Sequence, residues 1–286
     1  MQLAQVLAAL AQQFAEAGIE SARADAEVLV SEILQLGRGE LSAQAIIGRQ
    51  IEPNELERIS TQANKRAQRV PLQHLTGKAY FRNLELSVGP GVFVPRPETE
   101  LLAQIGIDAL NAAIAAGNSK PLAADLGTGS GAIALSLANE VPQAFVYAVE
   151  LSDDAMPWTT RNFERYGANA QLRQGDLADA FEDLNGQLAV VVSNPPYIPD
   201  DMVPMYPEVH LHDPALALYG GADGLDLVRK VSKTALRLLV SGGVLALEHA
   251  DIQSQSVVQL LLADGWREVT AHQDLNQRDR VVSAIK

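Results

Sequence analysis

The 286-residue chain predicts an α/β fold, with a sheet of mostly parallel strands alternating with helices behind a small helical bundle. Three observations carry that prediction. A short apolar run, Leu122-Ala123-Ala124-Asp125-Leu126, enters the turn Gly127-Thr128-Gly129-Ser130-Gly131 and opens directly into an amphipathic helix, a strand, turn and helix in the order of a nucleotide-binding sheet. Later strand-like runs stop at Glu150, Asp176 and Asn194, and parallel sheets place such ends along one ligand-binding edge. Residues 2–70, by contrast, repeat apolar side chains every three or four positions.

Composition bounds the rest. Hydrophobic residues make up 47% and charged residues 20%, which is globular composition without low complexity. The absence of cysteine removes disulfides, thiolate nucleophiles and cysteine metal sites together. The start, Met1-Gln2-Leu3-Ala4-Gln5, has no basic leader, and no apolar run approaches the roughly 18 residues of a membrane span, so a soluble cytoplasmic protein without membrane partners is expected. Net charge is −13, with 8 basic against 9 acidic residues up to position 78 and 14 against 26 beyond it. An acidic surface of that kind repels phosphate backbones, so no direct nucleic-acid binding is expected.

The elements follow in order. Leu3, Val6, Leu10 and Phe14 mark a first helix stopped at Gly18; Ser21 caps a second, with Ala24, Val28, Leu29 and Ile33, that Gly37 ends; Pro53 and Asn54 open a third that finishes before Pro71. This bundle reads either as a packing appendage or as a docking module. The alternation through Ala79–Val88 suggests a short hairpin or meander, broken at Gly89-Pro90-Gly91. In Pro95-Arg96-Pro97-Glu98-Thr99-Glu100, prolines bracket an arginine just before a helix over 101–116. Its carboxylates either favour the helix N-terminus or help line a pocket.

The site candidates lie on the strand ends. Gly127-x-Gly129-x-x-Ala132 fits a dinucleotide fingerprint, but Asp125 just before it would repel a pyrophosphate and suits a cationic amino-acid end such as that of S-adenosylmethionine. Glu150, about 20 residues on, suits ribose hydroxyls. Asp176 can accept from an adenine amino group or cap its own loop. In Val191-Val192-Ser193-Asn194-Pro195-Pro196-Tyr197, two prolines stop a buried strand and form a stiff corner able to accept both hydrogens of a planar amide or amino group.

This combination resembles the class I (Rossmann-like) S-adenosylmethionine-dependent methyltransferases acting on planar nitrogen. Arg96–Glu100, Asp213-Pro214-Ala215-Leu216, Gly220-Gly221-Ala222-Asp223-Gly224-Leu225, Gln73-His74-Leu75-Thr76-Gly77 and Asp279-Arg280-Val281 narrow the resemblance to the PrmC/HemK family, over nearly the whole chain. That family methylates the glutamine amide of the Gly-Gly-Gln motif in peptide chain release factors. The resemblance implies a substrate-docking helical domain over 1–72, a linker with the hairpin over 73–100 and a catalytic domain over 101–286. It implies S-adenosylmethionine on Asp125, Gly127, Thr128, Gly129, Gly131, Glu150, Asp176 and Asn194. The acceptor would meet Asn194, Pro195, Pro196, Tyr197, Arg96 and Glu98, with Asn194, Pro195 and Tyr197 catalytic and no metal. Departures from the family pattern are Glu150 for Asp, Asp213-Pro214 for Glu-Pro, and Phe93-Val94 before the Pro-Arg-Pro. His249, His210 and His212 lack ligand spacing and read as loop residues. The rival readings are an adenine-N6 methyltransferase, which needs a basic groove, an NAD-dependent oxidoreductase, and a non-catalytic adaptor.

Overall fold

The computed structural model describes residues 1–286, and the chain forms two compact units. The first comprises 1–78 with 204–212, the second 79–203 with 213–286.

In the first unit, α1 (Leu3–Glu16), α2 (Ala22–Leu34), α3 (Arg38–Ile46), α4 (Pro53–Ala67) and α5 (Leu72–Thr76) close over Leu3, Val6, Leu10, Phe14, Leu29, Val30 and Ile59. Two details correct the sequence reading. Helix α2 ends at Gln35, in the left-handed conformation at φ 54°, and Gly37 instead begins α3. Ser21 does not cap through its side chain; its hydroxyl donates to Asp25 Oδ1 at 2.7 Å. That carboxyl is also held by buried Arg66, whose Nε lies 2.8 Å from Asp25 Oδ2 while its Nη1 reaches Glu208 Oε1 at 2.9 Å. Arg69 takes the other Glu208 oxygen at 2.6 Å. A buried guanidinium needs such partners on several nitrogens.

The hairpin β1 (Lys78–Phe81) and β2 (Leu84–Ser87) leads into α6 (Glu100–Ala115), β3 (Leu122–Leu126), α7 (Ala132–Glu140), β4 (Phe145–Glu150), α8 (Met156–Tyr166), β5 (Ala170–Gln174) and β6 (Leu188–Ser193). There follow α9 (Pro207–His212), which clusters with the first unit, then α10 (Asp226–Leu238), β7 (Leu239–Glu248), α11 (Ser254–Ala263), β8 (Arg267–Gln273) and β9 (Asp279–Ile285). His210 and His212 therefore lie on a short helix rather than in a loop.

The large sheet has seven strands in the order β5-β4-β3-β6-β7-β9-β8. All pairs from β5 to β7 are parallel, while β9 runs antiparallel to both β7 and β8. Both faces are covered, and the pleat shows why the central strands read as unbroken apolar runs. Ala123, Val190 and Val192 pack with Leu102, Leu110, Leu135 and Leu137 on one face. Ala124 and Val191 pack with Val228, Val231, Leu238, Val257 and Leu261 on the other. The strand order turns around at β3, flanked by β4 and β6, and such a switch point opens a crevice at the carboxyl ends of the strands.

Candidate active site

The turn after β3 is shaped by its glycines and gripped from α8. Gly129 has φ +56° with nothing within 4 Å of where a Cβ would stand, so a side chain there would meet backbone strain and fill the open cradle. Thr159 Oγ1 donates to the Gly129 carbonyl at 2.5 Å and Asn162 Nδ2 to the Ser130 carbonyl at 2.9 Å. Gly127 and Thr128 donate their N–H groups to the Val149 carbonyl, and Gly131 leads into α7.

Asp125 is completely buried beneath this turn. Its Oδ2 accepts from Thr128 Oγ1 at 2.6 Å and from the Ala134 N–H at 3.2 Å, while Oδ1 is buried with no partner. Burial lifts the carboxyl to about 7, against the pull of those two donors. A buried orphan oxygen beside an open glycine cradle fits an incoming ammonium group.

Glu150 closes β4, with Oε2 accepting from the Gly129 N–H and Oε1 from the Ser152 N–H, both at 2.8 Å. Each oxygen keeps a second acceptor site for a ligand hydroxyl. Asp176 stands two residues past β5; its Oδ1 accepts from the Ala178 N–H at 2.8 Å, capping its own loop, and the side chain remains half-exposed.

Asn194 follows β6 directly. Ladder register sets Asp125 opposite Val192, and Ser193 Oγ donates to the Leu126 carbonyl at 2.6 Å, so the two strand ends are tied together. Asn194 Nδ2 reaches Thr99 Oγ1 at 3.4 Å, while Oδ1 and the neighbouring Pro195 carbonyl accept no hydrogen bond from the protein. Two acceptors thus stay open at the corner.

The corner is braced from behind. Ile198 donates to the Leu218 carbonyl and Gly220 to the Ile198 carbonyl, both at 2.9 Å, and Gln253 Nε2 donates to the Tyr197 carbonyl at 2.9 Å. A Cβ on Gly224 would stand 2.3 Å from the Tyr197 carbonyl oxygen, so only glycine permits this approach. Tyr197 Oη donates to Glu248 Oε1 at 3.3 Å, and burial next to that carboxyl pushes the phenol pKa well above its ordinary value.

Of the remaining sequence candidates, Arg96 is committed to Asp213 at 2.7 Å and lies over the Phe93 ring at 5.0 Å. Glu98 is half-buried, and its charge is felt by Tyr197, Glu248 and Arg280. Sequence reasoning gave no role to Thr99 or Glu248. The signal was present for Glu248, a carboxylate closing the apolar run Val244-Leu245-Ala246-Leu247 as Glu150 closes its own strand.

A PrmC N-terminal domain pattern matches residues 5–77 and a methyltransferase small domain pattern residues 87–204. The chain is 49% identical over 277 residues, 96% of its length and 95% of the relative's, to the release factor glutamine methyltransferase of Streptomyces coelicolor. It is 39% identical over 287 residues, 99% and 95% of the two chains, to the 4-amino-L-phenylalanine/4-methylamino-L-phenylalanine methyltransferase of Streptomyces pristinaespiralis. A methyltransferase from Pyrococcus furiosus shares the fold at a TM-score of 0.50 and 19% identity, covering 82% of this chain and 99% of that one. No helix is long and apolar enough to cross a membrane. On similarity that spans nearly the entire chain, the protein belongs to the release factor glutamine methyltransferase family.

Proposed function

We propose that this protein methylates the side-chain amide nitrogen of the glutamine in the Gly-Gly-Gln motif of peptide chain release factors, in the cytoplasm, using S-adenosylmethionine. The observation that carries the reading is the pair of unfilled acceptors, Asn194 Oδ1 and the Pro195 carbonyl, tied through Ser193 to the strand end that bears Asp125. Asp125, with Gly127, Thr128, Gly129 and Gly131, would hold the methionine end of the methyl donor. Glu150 would take the ribose and Asp176 the adenine amino group. When bound, S-adenosylmethionine supplies an electrophilic sulfonium methyl.

An amide nitrogen is a weak nucleophile because its lone pair is delocalised. Asn194 Oδ1 and the Pro195 carbonyl each accept one amide hydrogen, fixing the nitrogen so that its lone pair is aimed, with Pro196 stiffening the corner and Tyr197 packing over the amide plane. Such positioning lowers a barrier by on the order of 7 kcal/mol at best. The nitrogen becomes strongly acidic as it gains a fourth substituent and loses its proton to water, so no strong base is required. Arg96 and Glu98 border the acceptor path in this reading, and the helical unit docks the release factor.

The relative that acts on an aromatic amine makes a free arylamine the competing acceptor. Incubation with methyl-labelled S-adenosylmethionine, in parallel with a release factor, 4-amino-L-phenylalanine and nucleic acid, separates the readings. Mass spectrometry should find one added methyl on the Gly-Gly-Gln peptide. Label confined to the arylamine or to nucleic acid would overturn the proposal.

A further inference from the structure

Beneath the acceptor corner lies a cluster of buried polar groups that the reaction as proposed does not call upon. Thr99, just before α6, and Glu248, at the end of β7, are 3% and 1% exposed. Thr99 Oγ1 meets Asn194 Nδ2 at 3.4 Å. The same hydroxyl lies close enough to the Glu248 carboxyl to favour its ionised form. Glu248 Oε1 takes the Tyr197 phenol at 3.3 Å, and its buried Oε2 has no hydrogen-bond partner, leaving it open to the Thr99 proton. Thr99 thus adjoins both Asn194 and Glu248.

A threonine hydroxyl has one proton to give. An ionised carboxylate only accepts, so beside ionised Glu248 that proton points away from Asn194. Thr99 then offers Asn194 a lone pair, which only the NH2 end of the Asn194 amide can use. Oδ1 is thereby turned toward the incoming amide, which needs acceptors. A neutral Glu248 can donate instead, freeing the Thr99 proton to turn toward Asn194. The Asn194 amide then settles equally well the other way round and meets the acceptor's NH2 with its own.

We propose that Thr99 and Glu248 are positioning residues that fix which end of the Asn194 amide faces the methyl acceptor. The inference rests on the reading of Asn194 as the amide-orienting group. It carries a pH dependence. Burial lifts the Glu248 carboxyl to about 7, opposed by the Thr99 and Tyr197 hydrogen bonds and the Arg280 charge and reinforced by Glu98. Arg280, Glu98 and Tyr197 are the charged and titratable groups that bear most strongly on it. The correct orientation is held above that pH and lost below it.

The test uses single-turnover transfer to a release factor at saturating S-adenosylmethionine, so that Asp125, which acts on donor affinity, does not enter. Wild type should show a rate that rises through about pH 7. Thr99→Val should transfer 10- to 100-fold more slowly with that rise abolished, its donor affinity by calorimetry staying within twofold, and Thr99→Ser should restore both rate and profile. Independently of catalysis, the Asn194 side-chain amide resonances should titrate near pH 7 in wild type and not in Thr99→Val. A Thr99→Val protein with wild-type rate or an unchanged acid limb overturns the inference, as does an Asn194 amide that ignores pH in wild type. Absence of transfer by wild type would refute the acceptor assignment instead, and the resonance titration then decides the Thr99–Glu248 role by itself.

Discussion

Arg96 Nη2 donates to Asp213 Oδ2 across 2.7 Å and joins segments 117 residues apart. The Asp213 side chain is wholly buried, with Oδ1 lacking a partner, and burial raises its carboxyl to about 6 even against the arginine. Removing one member of a buried pair strands the other charge, typically at 3–5 kcal/mol. Arg96→Ala should therefore lower stability to urea by about that amount at pH 8. The deficit should shrink at pH 5, where Asp213 can be neutral. A deficit equal at both pH values would mean that Arg96 contributes packing on Phe93 rather than charge.

Asp125 sets a pH window of its own. Its folded carboxyl is raised from 3.8 to about 7 by burial, so the native state holds the proton more tightly than the unfolded chain does. The associated stability is complete below about pH 4 and is lost as pH rises through about 7, by on the order of a few kcal/mol. Asp125→Asn should flatten stability between pH 4 and 8 and unfold later than wild type at pH 8, while failing to bind S-adenosylmethionine. In wild type the donor's ammonium group needs the ionised carboxylate, so affinity should rise from pH 6 to pH 8. Urea unfolding and calorimetry at both pH values check this, and an affinity indifferent to pH would contradict it.

Gly224 offers a steric test of the corner. Its φ is +73°, and a Cβ would stand 2.3 Å from the Tyr197 carbonyl oxygen and 2.6 Å from Gln253 Nε2. Gly224→Ala should displace Tyr197 and lower transfer at least tenfold, leaving donor affinity within twofold because the Asp125 turn is untouched. Gly186→Ala is the control, with φ +67° and open space around the missing Cβ. It carries the backbone penalty of roughly 1–2 kcal/mol without the collision. Equal loss of transfer in both variants would show that general destabilisation, rather than displacement of the corner, is responsible.

Asp125, Glu150 and Asn194 were legible in the sequence because polar groups that close apolar runs have no packing reason to be there, and the sheet does bring them to one edge. Asp176 shows the limit, since its bond to the Ala178 N–H satisfies the capping reading as well as the ligand one. Helix α3 escaped notice because only Leu41 among its residues is buried, leaving almost no periodic signal. The Arg96–Asp213 and Thr99–Asn194 contacts join residues 117 and 95 positions apart, and no local pattern encodes such pairings. Gly220 and Gly224 were visible only as a family resemblance. Their physical reason, backbone packed on Pro196 and Tyr197, exists only in the folded chain.

Asn194 and Tyr197 should separate orientation from its pH control. Asn194→Ala removes the Oδ1 acceptor and the Thr99 contact together, so single-turnover transfer should fall at least 100-fold at every pH, with little loss of donor affinity. Tyr197→Phe keeps the aromatic ring but deletes the phenol that donates to Glu248 Oε1. Losing a donor to the ionised form favours the neutral carboxyl, so the acid limb should move to higher pH while the rate on the alkaline plateau stays within a few-fold of wild type. Rates measured from pH 6 to pH 9 on both variants check the pair. An acid limb that stays in place in Tyr197→Phe would show that its phenol does not govern the Glu248 charge, and a pH-dependent remnant in Asn194→Ala would show that the limb arises elsewhere than at the amide.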